Sequence, residues 1–121
     1  MMRVLYVDDE PDIREIAEMA LELDPQFEVR TAATGIAALE LIEEWKPDVA
    51  LLDVMMPQMD GPTLLARLRE DERYADLPVI FVTARAQPSE LQTFSTLDAV
   101  GVIAKPFDPM TLSEKVRELL E

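Results

Sequence analysis

Five short apolar runs, each separated from the next by a longer segment with helical spacing, constrain this chain more than any other feature. Arg3 to Val7 (RVLYV), Phe27 to Ala32, Val49 to Leu52, Val79 to Val82 and Val100 to Ile103 are the length of strands and rich in β-branched residues. Phe27 to Ala32 alternates, with Phe27 and Val29 on one face, as an edge strand would. Val49 to Leu52 is continuously apolar, which suits the centre of a parallel sheet covered on both faces.

Between the runs lie helical patterns. Pro11 opens the first at a first-turn position, where its missing N–H costs nothing. Ile13, Ile16, Ala17, Ala20 and Leu23 then recur at helical spacing until Asp24-Pro25 breaks the segment. After a turn at Thr34-Gly35, residues Ala38, Leu39, Ile42 and Trp45 mark a second helix that Pro47 ends. A loop with Met56-Pro57 and Asp60-Gly61 leads to a third through Leu64, Leu65 and Leu68. Ser89 to Leu97 is expected to form a fourth. Asp108-Pro109 is expected to cap a last helix whose Leu112, Val116, Leu119 and Leu120 face inward. Strands and helices in strict alternation imply right-handed crossovers and a parallel sheet, hence one α/β domain over residues 1–121. No output domain is expected within these residues.

In an open α/β sheet, sites form beyond the carboxyl ends of the strands. The first strand exits into Asp8-Asp9-Glu10, the third into Asp53, the fourth into Thr83, and the fifth leads to Lys105. Singly, each has an ordinary explanation: a helix cap for Asp8 or Asp9, a turn aspartate at Asp53, a strand threonine, a solvated loop lysine. Jointly they converge. Three carboxylates without partners repel one another, and a hard divalent cation with oxygen ligands resolves that conflict. Mg²⁺ suits a site with few protein ligands and several waters. With Lys105 adding positive charge and Thr83 a hydroxyl, the set resembles a site for a phosphoryl group carried on a carboxylate.

The sequence also excludes some chemistry. It contains no Cys and no His, so neither thiolate nor imidazole catalysis is open to it. No apolar run approaches the roughly 20 residues of a membrane span, and the N-terminus lacks a signal-peptide cleavage pattern. A cytoplasmic location and no membrane association are therefore expected. A net charge of −14 disfavours contact with nucleic acid phosphates.

The segments YVDDEP (Tyr6 to Pro11), LLDVMMPQMDG (Leu51 to Gly61), VTA (Val82 to Ala84) and KPF (Lys105 to Phe107) together resemble the receiver domain of two-component response regulators. They occur in family order and span the domain. The resemblance implies a flavodoxin-like, doubly wound (βα)5 fold with strand order 2-1-3-4-5 and helices on both faces. It implies Asp53 as phosphoacceptor, Thr83 as switch hydroxyl and Lys105 as a partner of a phosphoryl oxygen. Asp9 would bind Mg²⁺ directly, Asp8 mainly through water, Asp53 as a further ligand, and Met55 through its backbone carbonyl. Lys105-Pro106 would be a cis peptide, and Gly61 would serve the turn after Pro57. Met55 and Arg85 would flank the path of attacking water and tune the lifetime of the phosphoryl group. The donor would be a phosphohistidine on a sensor histidine kinase or histidine phosphotransfer protein. Output would run through the surface of the fourth helix, fifth strand and fifth helix to a downstream protein, with the chain itself a monomer.

One position departs from the family pattern. Where receivers commonly carry an aromatic residue, three before the lysine, this chain has Val102. A branched aliphatic cannot reproduce a large ring movement, so coupling from Thr83 through that position is in question. A phosphorylation-independent scaffold is one alternative reading. Another is a phosphatase of the haloacid dehalogenase type, but that family places a second Asp two positions after its nucleophile. Here Met55 stands there, and a turnover enzyme is not expected.

Overall fold

The computed structural model describes residues 1–84 and 98–121. Arg85 and the expected helix at Ser89 to Leu97 lie outside the described residues. Five parallel strands, β1 (Met2–Val7), β2 (Phe27–Ala32), β3 (Val49–Asp53), β4 (Val79–Thr83) and β5 (Gly101–Ala104), form one sheet in the order β2-β1-β3-β4-β5. The helices described are α1 (Pro11–Glu22), α2 (Gly35–Glu44), α3 (Gly61–Glu70) and a C-terminal helix (Leu112–Leu120), with a short 3-10 turn at Glu72–Tyr74 that the sequence pattern does not announce.

The period of two along each strand divides the core into two layers. Leu5, Val7, Ala50, Leu52, Val79 and Phe81 point to one face and pack with Ala38 and Ile42 of α2 and Leu64, Leu65 and Leu68 of α3. Val4, Tyr6, Val49, Leu51, Ile80 and Val82 point to the other, against Ala17, Ala20 and Leu21 of α1 and Leu112 and Val116 of the C-terminal helix. All five residues of β3 and of β4 are buried, which accounts for their unbroken apolar character. Val102 packs at the margin of the first layer, paired with Phe81 across the strands.

Three local expectations are corrected. In α1 the inward stripe is Ile13, Ala17, Ala20 and Leu21, while Ile16 and Leu23 are exposed. Thr34-Gly35 is the start of α2 rather than a separate turn, since Thr34 caps it by accepting the Ala37 N–H at 3.0 Å. The C-terminal helix begins at Leu112, not at Asp108-Pro109. Asp108 instead accepts the Met110 N–H at 2.9 Å and closes a turn before the helix, and Thr111 at the cap makes no side-chain cap bond. In the loop after Pro57, Gln58 takes a positive φ of 71°.

Candidate functional site

The site grows from the ends of β1, β3, β4 and β5. Asp53 is the last residue of β3 and pairs with Val82, while Thr83 ends β4 and pairs with Ala104. Asp8 follows β1 and its N–H donates to Ala32 O, prolonging the pairing with β2 by one bond. Lys105 follows β5, anchored by its N–H to Thr83 O at 2.8 Å and followed by a cis peptide to Pro106, as expected.

Gly61 matters here for space. A Cβ on it would come within 2.5 Å of the Asp53 carbonyl oxygen, so the start of α3 can lie against the phosphoacceptor candidate only without a side chain. Asp60 just before it caps α3 by accepting the Thr63 N–H at 2.8 Å.

Asp8, Asp53 and Thr83 are buried polar residues at one edge of the sheet. The Lys105 ammonium lies 2.7 Å from Asp8 Oδ2 and 3.2 Å from Asp53 Oδ1, bridging the two carboxylates. One carboxylate oxygen from each of Asp8, Asp9 and Asp53 falls within 4.8 Å of the others. A single lysine cannot neutralise three carboxylates, and an oxygen-rich set of this compactness fits a hard divalent cation such as Mg²⁺. Burial, and then repulsion from Asp8, pushes the Asp53 carboxyl up to about 6, against the opposing pull of Lys105 and the Met55 N–H. Burial alone would lower the Lys105 ammonium. The hydrogen bond and attraction from Asp8, joined by Asp53, outweigh it and hold the group above its ordinary value.

The structure therefore brings Asp8, Asp9, Asp53 and Lys105 together, with Thr83 on the adjoining strand end. The Met55 N–H reaches the Asp53 carboxylate, and Met55 as a residue is 63 % exposed. Val102 lies on β5 among core residues. Arg85 is outside the described residues. The sequence reading missed Tyr6, whose hydroxyl donates to Asp8 Oδ2 at 3.1 Å, and Arg14, whose guanidinium donates to the Asp8 carbonyl at 2.9 Å. The Tyr6 signal was present, because residues two apart in an extended strand share a face.

The sequence model of the response regulator receiver domain matches residues 4–117. This chain belongs to the response regulator receiver family. It is 42 % identical over 118 residues to the response regulator Rre1 of Synechocystis, covering 97 % of this chain and 51 % of that protein. It is 39 % identical over 121 residues to the DNA-binding dual master transcriptional regulator RpaA of the same organism, covering 99 % and 49 %. The receiver thus spans about half the length of these curated relatives. Among solved structures it is similar to the chemotaxis protein CheY4 of Vibrio cholerae, with a TM-score of 0.89, 34 % identity and 98 % of each chain covered. It is also similar to the Francisella response regulator 1452 receiver domain, with a TM-score of 0.86, 28 % identity, and 98 % and 96 % covered. The family is a signalling switch of two-component systems rather than a turnover enzyme, and its acidic pocket is where Mg²⁺ binds. Among the described residues no helix is long and apolar enough to cross a membrane.

Proposed function

We propose that this receiver is a cytoplasmic phosphoacceptor switch, taking a phosphoryl group onto Asp53 from a phosphohistidine of a sensor histidine kinase or histidine phosphotransfer protein. The observation that carries the reading is the buried Asp53 carboxylate sharing Lys105 with Asp8 while three carboxylate oxygens crowd within 4.8 Å. Asp8, Asp9, Asp53 and the Met55 carbonyl would hold Mg²⁺, which supplies neutralisation of phosphoryl oxygen charge.

The rest falls to the chain's own side chains. An Asp53 oxygen forms the new bond to phosphorus as the phosphorus–nitrogen bond breaks, and the imidazole nitrogen leaves with the electron pair. Lys105 moves its charge onto the phosphoryl oxygens. The Thr83 hydroxyl then bonds to the phosphoryl group and displaces the end of β4, which alters the partner surface beside β5 and the C-terminal helix. With Val102 in place of an aromatic ring, this coupling proceeds without a ring movement. Met55 shields the phosphoryl group from water, and Arg85 is assigned a companion role from its sequence position. The acidic surface favours a protein target over nucleic acid for this domain.

Intact mass after incubation with Mg²⁺ and acetyl phosphate tests the reading. One phosphoryl adduct is expected, absent with EDTA and absent in Asp53→Ala. A wild-type chain that stays unmodified, with no spectral response to beryllofluoride, would shift the reading to a phosphorylation-independent scaffold.

A further inference from the structure

The Asp8 carboxylate is held by three donors. Its Oδ1 accepts the Glu10 N–H at 3.0 Å, and its Oδ2 accepts both the Lys105 ammonium at 2.7 Å and the Tyr6 hydroxyl at 3.1 Å. Asp8 and Tyr6 are both fully buried. Tyr6 is also locked in place, packed in the layer beneath α1 and the C-terminal helix. Its strand neighbours Val4, Leu5 and Val7 are aliphatic, so the hydroxyl is the one polar side-chain atom in that buried stretch. Packing alone does not call for it.

Lys105 is oversubscribed. It already serves Asp8 and Asp53, and phosphoryl oxygens on Asp53 would become its third partner. If it moves toward them, Oδ2 of a fully buried carboxylate loses its charged donor, and a buried anion short of donors is costly. Two donors on one oxygen also divide its negative charge, so the Tyr6 bond loosens the grip of Asp8 on the ammonium.

We propose that Tyr6 is a positioning residue for phosphoryl transfer: its hydroxyl keeps Asp8 Oδ2 satisfied so that Lys105 can pass to the phosphoryl group on Asp53. The inference rests on Asp53 being the phosphoacceptor. Without the hydroxyl, Asp8 holds Lys105 harder and attracts a divalent cation more strongly. Metal affinity and transfer rate should therefore move in opposite directions.

The test is Tyr6→Phe in the full chain, which removes one oxygen and keeps the ring. Three quantities are read: the rate of acetyl phosphate labelling at saturating Mg²⁺, Mg²⁺ affinity by calorimetry without any phosphoryl donor, and the urea midpoint from Trp45 fluorescence. Labelling should slow by about tenfold, the effect of one lost hydrogen bond to a charged group, while Mg²⁺ binds more tightly. In an Asp8→Asn background the same change should slow labelling no further, because Tyr6 acts through Asp8. An unchanged rate in Tyr6→Phe overturns the role of Tyr6. So does metal affinity that weakens together with the rate, or slowing that persists in the Asp8→Asn background. A wild-type chain that takes no label overturns the phosphoacceptor reading instead, so the two failures are distinct.

Discussion

At the edge of the sheet where the strands begin, Trp45 is buried with the guanidinium groups of Arg3 and Arg30 over its ring, 5.8 and 5.1 Å from the centroid, and its indole N–H donates to Glu28 at 3.1 Å. Arg3 in turn pairs with Glu28, and Arg117 of the C-terminal helix reaches Asp24 and covers the Phe27 ring. At the edge where the strands end, three carboxylates crowd together and one lysine serves two of them, Asp8 and Asp53. The same sheet thus has one rim where charges are matched and one where negative charge is in excess. Matched charge serves stability. Excess buried charge is held there by the fold and is relieved when a cation or phosphoryl chemistry arrives, which is why perturbed carboxyls cluster at sites of function.

The contrast is broken most directly by cutting into the matched rim. Trp45→Ala should cost about 3–5 kcal/mol, the usual range for deleting a buried aromatic side chain, and urea denaturation followed by circular dichroism reads it. The opposite rim should respond with the opposite sign. The Asp53 carboxyl is raised from 3.8 to about 6 in the folded protein, so between those values the folded state holds a proton that the unfolded chain has released. Stability associated with neutral Asp53 is complete below the lower value and lost as pH rises through the upper one. Asp53→Asn removes that loss. At neutral pH it should stabilise the metal-free protein by up to about 3 kcal/mol, and the gain should fade as the pH is lowered from 6 toward 4. A destabilised Asp53→Asn at neutral pH would mean the carboxylates are better satisfied than their geometry indicates.

Mg²⁺ sharpens the same point. At a hundredfold excess over its dissociation constant it should raise the stability of the wild type by about 2.7 kcal/mol. In Asp53→Asn the gain should be smaller, with ionic strength held constant by potassium chloride. Equal gains in the two proteins would place the binding of the ion elsewhere.

How much of this was legible in the sequence differs between the two rims. Asp8, Asp9, Asp53 and Lys105 could be brought together because strand exits in a parallel sheet share one edge, and continuous apolar runs such as Val49 to Leu52 mark those exits without ambiguity. The matched rim was not legible. Trp45 reads as one more apolar position on α2, and nothing local says that Arg3 and Arg30 will close over it, since those contacts depend on the β1–β2 register that pairs Arg3 with Glu28. The face of α1 was misread for a related reason. Ile13 begins two helical stripes, and only the packing against the sheet and the C-terminal helix shows that Ala17, Ala20 and Leu21 are buried while Ile16 is exposed. Tyr6 was read as strand filling, although its spacing from Asp8 was in view.

The smallest effect belongs to the rim where charges are paired but wet. Arg117 hydrogen-bonds Asp24 and holds its carboxyl below the ordinary value. A depressed carboxyl contributes stability above its unfolded value of 3.8, and that contribution is lost as pH falls. Because the pair is solvated and screened, Arg117→Gln should lower the urea midpoint only slightly, and less in high salt. The loss should persist at pH 5, where the gain from Asp53→Asn is already fading, because the two carboxyls are displaced in opposite directions. Two charge-removing substitutions on one sheet would then differ in sign and in the pH at which each effect disappears. If both variants instead lose stability in parallel at every pH, the two rims are electrostatically alike, and the crowding of Asp8, Asp9 and Asp53 stores nothing for a cation or a phosphoryl group to relieve.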